Sequence, residues 1–421
     1  MSASLGVRCG AAPASPERTT PPRDPAFTGL RAVAALLVVG THAAFATGYL
    51  SHGYLGAMYA RLEIGVAIFF ALSGFLLFRP WVRAAAAGDR PPSLRRYGRH
   101  RFRRIVPAYV VTVIAAFETY TVFAPGPNPG QSWAGLFRHL TFTHIYSQDY
   151  LATMLHPGLS QMWSLAVEVS FYLVLPALAA LLLQVLCRGR WLPGRLLLGI
   201  ALLAAISPLW ILGVGVGDVL PNSAGMWLPA HLIWFAGGMA LAVLETVGAR
   251  CAARIALPVA LALYLTVSTS AGGTLAGADP AWTPVAKSVL YAAIATLALA
   301  PIALGGRDRY ARLLASRPMV WLGEISYEIF LVHVVVMALT MHLVLGWPLF
   351  TGSMPGLIAA TLLVTIPVAW VLHRVTRPQT RARNDGSSAA SALPRCEDAS
   401  FSSGLSSAAV RSDPVGRNTG S

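Results

Sequence analysis

Arg31 and His42 stand eleven residues apart in the run FTGLRAVAALLVVGTHAAFATG, residues 27 to 48. Eleven steps of about 100° bring a helix to within about 20° of its starting direction, so both side chains leave from one face, about 16 Å apart along the axis. The run is apolar and long enough to cross a bilayer, which takes ~20 residues. Ionisable groups at membrane depth are costly and usually face a cavity or a partner, so this face is a candidate for chemistry. The plainer alternative is a snorkelling arginine and a histidine satisfied inside a bundle. Two further ionisable residues interrupt apolar stretches: Glu168 in WSLAVEVSFYLVLP and His333 in GEISYEIFLVHVVV. A carboxylate near an imidazole holds its tautomer and raises its basicity, which suits a general base acting on a hydroxyl. A second polar set is Arg31 with Arg101 and Arg104, an Arg-x2-Arg pair just before IVPAY. Guanidinium forks suit phosphate oxygens, although arginines beside a span also serve simply as orientation signals.

These side chains need an apolar scaffold, and the composition supplies one. The 421 residues are 55% hydrophobic and 12% charged, with a mean hydropathy of +0.60. Soluble domains carry about twice that charged fraction. The formal charge of +15 does not point to nucleic acid, because the arginines fall mostly between apolar segments. Cys9, Cys187, Cys251 and Cys396 show no metal-ligand or CxxC spacing, so neither a metal site nor a disulfide framework is expected. Residues 1 to 26 are polar and Pro-rich without the apolar core of a signal peptide, and are expected to form a disordered cytoplasmic lead. Residues 377 to 421 are rich in Ser, Gly and Ala and are expected to form a disordered cytoplasmic tail.

Eight arginines between 83 and 104 (Arg83, Arg90, Arg95, Arg96, Arg99, Arg101, Arg103 and Arg104) fix that loop in the cytoplasm. Alternation from this anchor predicts about ten transmembrane helices with both termini cytoplasmic, near 27–48, 62–82, 105–124, 163–186, 196–214, 226–246, 255–271, 285–304, 319–344 and 355–374. Every loop assigned to the cytoplasm is Arg-rich, and the outer loops nearly lack positive charge. The expected fold is therefore an all-α polytopic bundle over residues 27–376, with a long outer loop at 125–162. In this topology His42, Glu168 and His333 share a level in the outer half of the membrane, while Arg31, Arg101 and Arg104 lie at the inner surface. A donor bound from the cytoplasm and an acceptor reached from outside would fit two such sets. A secondary transporter also fits ten spans with buried charge, but the two halves show no internal repeat and no matching Gly/Pro-broken helices.

The chain resembles acyltransferase family 3, the bacterial integral-membrane O-acyltransferases, over about residues 27 to 376. Five motifs carry the resemblance in order: Arg31 and His42; the FFALSGFLL run from Phe69 to Leu77 with Ser73 and Gly74; Arg101, Arg104, Pro107 and Tyr109; Trp163, Ser164, Leu165 and Glu168; and Gly323, Ser326, Tyr327 and His333. The family's last helix often ends in Glu-Arg-Pro, whereas Thr376-Arg377-Pro378 stands here. With no esterase-like domain following the bundle, the chain is expected to be the stand-alone form. The resemblance implies an acyl-CoA donor, typically acetyl-CoA, no bound cofactor or metal, and transfer to a hydroxyl of an envelope glycan, glycolipid or secondary-metabolite sugar at the cell membrane. With the residues above, it points to His42 as general base on the acceptor hydroxyl, Glu168 as its orienting or charge-balancing partner, and His333 as a second acid/base. Arg31, Arg101 and Arg104 would hold the CoA phosphates or line the donor entrance, while Ser73, Trp163, Tyr327 and His333 shape the substrate pocket. Ser73 is open to two readings, a packing residue or a covalent acyl carrier.

Overall fold

The computed structural model describes residues 24–123, 126–147, 156–215, 220–274, 279–306 and 308–377. The expected disordered lead and tail lie almost wholly outside them. All regular structure in the described residues is helical, and nine helices are long and apolar enough to cross a membrane. The chain is a multi-pass membrane protein. The principal helices are α1 (Pro25–Ala46), α2 (Gly53–Ala60), α3 (Ile64–Ala87), α4 (Leu94–Val122), α5 (Trp133–Leu140), α6 (Met162–Ala180), α7 (Pro193–Gly215), α8 (Leu228–Thr246), α9 (Ala253–Val267), α10 (Thr283–Ala303), α11 (Arg309–Leu314), α12 (Arg317–Glu324), α13 (Ser326–Leu339) and α14 (Met354–Thr376).

Three expected boundaries move. The run 83–104 is not a loop throughout, because α4 is continuous from Leu94 and carries most of its arginines on helical turns. The expected span 319–344 is broken at Ile325 into α12 and α13, so the membrane-length part begins at Ser326. The expected span 255–271 is the 15-residue α9, about 22 Å long and short for a hydrocarbon core of ~30 Å. It nevertheless runs from one end of the bundle to the other. It starts seven residues after Thr246, next to the turn where Glu245 binds Arg79 and Arg83 of α3. It finishes beside α2, where Tyr264 Oη donates to Met58 O at 2.6 Å and Arg61 Nε donates to Val267 O at 3.1 Å. Arg61 also donates to the Gly272 and Gly273 carbonyls, tying off the last turn.

Apolar side chains gain nothing by leaving lipid for protein, so helices in a membrane associate through close backbone approach. The α3–α8 crossing is built this way. A Cβ on Gly74 would sit 2.1 Å from Phe235 O, and one on Gly238 would sit 1.9 Å from Ala71 O. Phe70 stacks on Phe235, and Phe235 on Phe171, locking α3, α8 and α6 together. On the other side of α1, Gly29 meets the α11 backbone and Gly323 meets Thr28, which brings α12 against the first helix. Packed between these neighbours, α1 holds both Arg31 and His42 towards the interior.

Candidate active site

Two cavities lie along α1, one around each of its ionisable residues. Arg31, Arg101 and Arg104 converge on a cavity of about 70 Å³ with Ser73, Glu168, Tyr172 and Tyr327 in its walls. Arg101 and Arg104 are half-buried, one turn apart on the inward face of α4, whereas Arg95, Arg96, Arg99 and Arg103 are exposed. Three guanidiniums thus face one carboxylate, Glu168, in this cavity. That carboxylate accepts from Ser73 Oγ and from Tyr172 Oη, the latter at 2.5 Å. Tyr327 Oη donates to Ile105 O at 2.9 Å, holding the α13 wall against α4. Arg101 Nε is buried without a hydrogen-bond partner. The cavity is net positive and small, with room for a phosphate-sized group or a narrow chain rather than a nucleotide.

The second cavity, about 260 Å³, contains His42, Thr41, Gln161, Trp163, Glu63 and Lys287. His42 Nδ1 lies 3.0 Å from Val38 O, one helical turn back, and 3.0 Å from His333 Nε2. His333 Nδ1 lies 2.8 Å from Phe330 O and 3.1 Å from Ile329 O. Carbonyl oxygens only accept, so Nδ1 carries the proton in both neutral rings. His333 Nε2 is then an acceptor, and the His42 Nδ1–H is shared between it and Val38 O. His42 Nε2 is left as a lone pair without a hydrogen bond, on a residue that lines the cavity. Gln161 Nε2 is committed to Leu331 O at 2.8 Å, which fixes its amide and leaves the buried Oε1 unpartnered in the same space. At the rim, Lys287 Nζ pairs with Glu63 Oε1 at 2.5 Å, and Tyr291 Oη donates to the same oxygen at 3.0 Å.

The sequence places His42, Glu168 and His333 at one level. The structure joins His42 to His333 and puts Glu168 in the arginine cavity, hydrogen-bonded to Ser73 and Tyr172 instead of to His42. Glu168 does not orient the imidazole; His333 and Val38 O do. His333 has both ring nitrogens engaged, so it holds His42 without a free atom for a substrate. Of the residues expected in the pocket, Ser73 and Tyr327 line the arginine cavity and Trp163 lines the histidine cavity. Val66 and Phe330 line both, forming the partition between them. Sequence reasoning missed Gln161, Glu63 and Lys287. One signal was available: Lys287 is the only lysine in an arginine-rich chain.

The acyltransferase-domain model of acyltransferase family 3 matches residues 24–374, nearly the whole described bundle. The chain belongs to this family. Acyltransferase MdmB of Streptomyces mycarofaciens is 29% identical over 378 residues, covering 84% of this chain and 90% of that protein. Peptidoglycan O-acetyltransferase OatA of Listeria monocytogenes is 29% identical over 191 residues, covering 43% of this chain and 28% of OatA. Putative peptidoglycan O-acetyltransferase YrhL of Bacillus subtilis is 29% identical over 157 residues, 36% of this chain and 23% of that protein. The matched part is thus under a third of the length of OatA and YrhL. No solved structure matches. The protein is a multi-pass membrane acyltransferase, and the transporter alternative gives way to the family match.

Proposed function

We propose that this acyltransferase moves an acyl group, acetyl in the simplest case, from cytoplasmic acyl-CoA to a hydroxyl of an envelope glycan, glycolipid or secondary-metabolite sugar at the cell membrane. The observation that carries the reading is the free Nε2 of His42 in one cavity beside a second cavity walled by three guanidiniums. The name of OatA, a peptidoglycan O-acetyltransferase, supports oxygen as the accepting atom and a glycan as its bearer. In this reading the Arg-rich end is cytoplasmic by the positive-inside rule, and both termini lie there.

The donor's phosphates sit at the mouth of the arginine cavity, with the thin acyl-bearing arm threaded between Val66 and Phe330 towards His42. His42 Nε2 takes the proton of the acceptor hydroxyl as its oxygen attacks the thioester carbonyl. The tetrahedral intermediate expels the CoA sulfur, and the proton on His42 neutralises the departing thiolate. An ester and free CoA result, and the imidazole returns to its starting state. His333 keeps the Nδ1 proton in place throughout, Gln161 Oε1 accepts from a further acceptor hydroxyl, and Glu168 balances and spaces the arginines. Ser73 donates to Glu168 and positions it, and in this reading the acyl group passes directly from CoA to the acceptor. The test is release of CoA thiol by purified protein in proteoliposomes supplied with acetyl-CoA and envelope lipid extract. Release that requires protein, donor and extract together is expected; no release above the protein-free blank overturns the reading.

A further inference from the structure

Next to the His42 cavity lies another of about 350 Å³, within the size range of small-molecule sites, and nothing in the transfer chemistry above uses its far wall. The two spaces share Glu63, Val66, Trp163 and Lys287, so the second is a side chamber of the first. Its walls are mostly apolar, with Ile211 and Val214 of α7 and Trp234 of α8 opposite Pro284 of α10. Trp234 is fixed by its own indole, whose Nε1–H donates to Ser288 O at 2.9 Å. His231 stands in an aromatic box, with ring centroids 5.1 Å from Trp163, 4.7 Å from Trp234 and 6.1 Å from Phe70.

Two polar side chains in this apolar chamber have no hydrogen-bond partner. Both ring nitrogens of His231 and the Oγ of Ser288 are buried and unbonded, and the residues are only 9% and 5% exposed. The Gly225 backbone lies near His231 without reaching hydrogen-bond geometry. Leaving such groups unpaired costs about 1–3 kcal/mol each, so a native chamber holding two of them on separate helices is shaped for a guest that supplies the missing partners. A hydrocarbon acyl chain brings no such atom. A charged guest would meet walls that are apolar and aromatic apart from Lys287 and Glu63, which are already paired with each other. The fitting guest is neutral and amphipathic, with an apolar body and an oxygen.

We propose that this chamber binds the apolar body of the acceptor, a neutral amphiphile with a hydroxyl or ether oxygen held by His231 and Ser288, while its reacting hydroxyl extends past Trp163 to His42. The inference rests on the proposed transfer to a hydroxyl and names the kind of molecule that carries it. It places the choice of acceptor in α7, α8 and α10, away from the motifs that handle the donor.

The test is photolabelling of the full chain in lipid nanodiscs with an octyl β-glucoside that carries a diazirine in its alkyl chain, followed by peptide mapping. Adducts are expected to concentrate on Trp163, Ile211 and Trp234. Tenfold excess of unlabelled octyl β-glucoside should reduce them at least fivefold, and Ser288→Trp, which fills the chamber, should do the same. Adducts spread evenly over the lipid-facing helices, or labelling that excess glucoside does not reduce, would overturn the chamber. The competition is read on the native protein and stands even if Ser288→Trp fails to fold. Labelling needs neither donor nor turnover, so site-selective adducts in His42→Ala protein support the chamber whatever becomes of the base assignment.

Discussion

His333 Nε2 accepts from His42 Nδ1 at 3.0 Å, and His333 is itself anchored by its Nδ1–H on the Phe330 carbonyl at 2.8 Å. The pair forms a short relay of fixed tautomers that starts at a backbone oxygen and ends at the free Nε2 of His42. It does for this imidazole what a carboxylate does in other general-base sites, without putting a charge in the membrane.

His333→Ala is therefore expected to lower kcat by about 10–100-fold, by analogy with the loss seen when the hydrogen-bond partner of a metal-bound imidazole is removed. The KM for acyl-CoA should move less than about twofold, because no donor contact is removed. His333→Gln, whose amide oxygen can accept from His42 Nδ1–H, should recover most of the loss. A large KM effect with kcat intact would make His333 a substrate contact and remove its positioning role.

Arg101 and Arg104 should report on the donor. A hydrogen bond to a charged group contributes about 1.5–3 kcal/mol, so Arg101→Ala/Arg104→Ala is expected to raise the apparent KM for acyl-CoA by at least about tenfold. Arg101→Lys keeps the charge but loses the fork and should fall between. Saturation curves for acetyl-CoA decide this. An unchanged KM in the double variant would return both residues to the role of orientation signals.

The scaffold was largely legible because membrane helices announce themselves by length and by arginine placement. The α1 and α13 histidines could be put at one level by counting turns from the Arg-rich end. Glu168 could not. Counting gives the depth of a Cα, whereas the level of a carboxylate is set by what it reaches, here Ser73 nine residues into α3. The long Arg31 and Arg101 side chains close the same gap from below. Gln161 was unreadable for another reason: its value lies in a spare amide oxygen, and that depends on Nε2 being committed to Leu331 O on a distant helix. The break at Ile325 carries no proline and so gave no signal, while the closeness of Gly323 to Thr28 shows that packing on α1 places it.

The α3–α8 crossing offers a stability test. A Cβ at Gly238 would meet Ala71 O at 1.9 Å, so Gly238→Ala must push two buried helices apart, at a cost of about 1–3 kcal/mol. Gly98 on α4 faces open space, and Gly98→Ala should be neutral or slightly stabilising. Thermal unfolding in detergent should show a lower Tm for Gly238→Ala alone; equal Tm values for the two variants would contradict the close crossing.

The segment from 126 to 147 should open in acid. His139 and His144 stack at 4.4 Å, and His156 Nε2 lies 2.7 Å from Gln131 Oε1. Burial, with the neighbouring His139, holds His144 down to about 3 and His156 to about 4, below their ordinary 6.5. Both are neutral when folded, while the unfolded segment takes up protons below about pH 6.5. Their contribution to stability is thus complete above about 6.5 and is lost as pH falls towards 4 and then 3. Amide exchange in residues 126–147, corrected for the intrinsic rate, should quicken between pH 7 and 4.5. His144→Leu should flatten that dependence; the same acceleration in the variant would assign it to other groups.

The central claim is that His42 Nε2 is the base, and steady-state transfer from acetyl-CoA by His42→Ala tests it most directly. At matched expression and monodispersity, kcat is predicted to fall by about 10²–10⁴-fold, with the acetyl-CoA KM changed less than about twofold. Turnover near that of the unaltered protein would contradict the account.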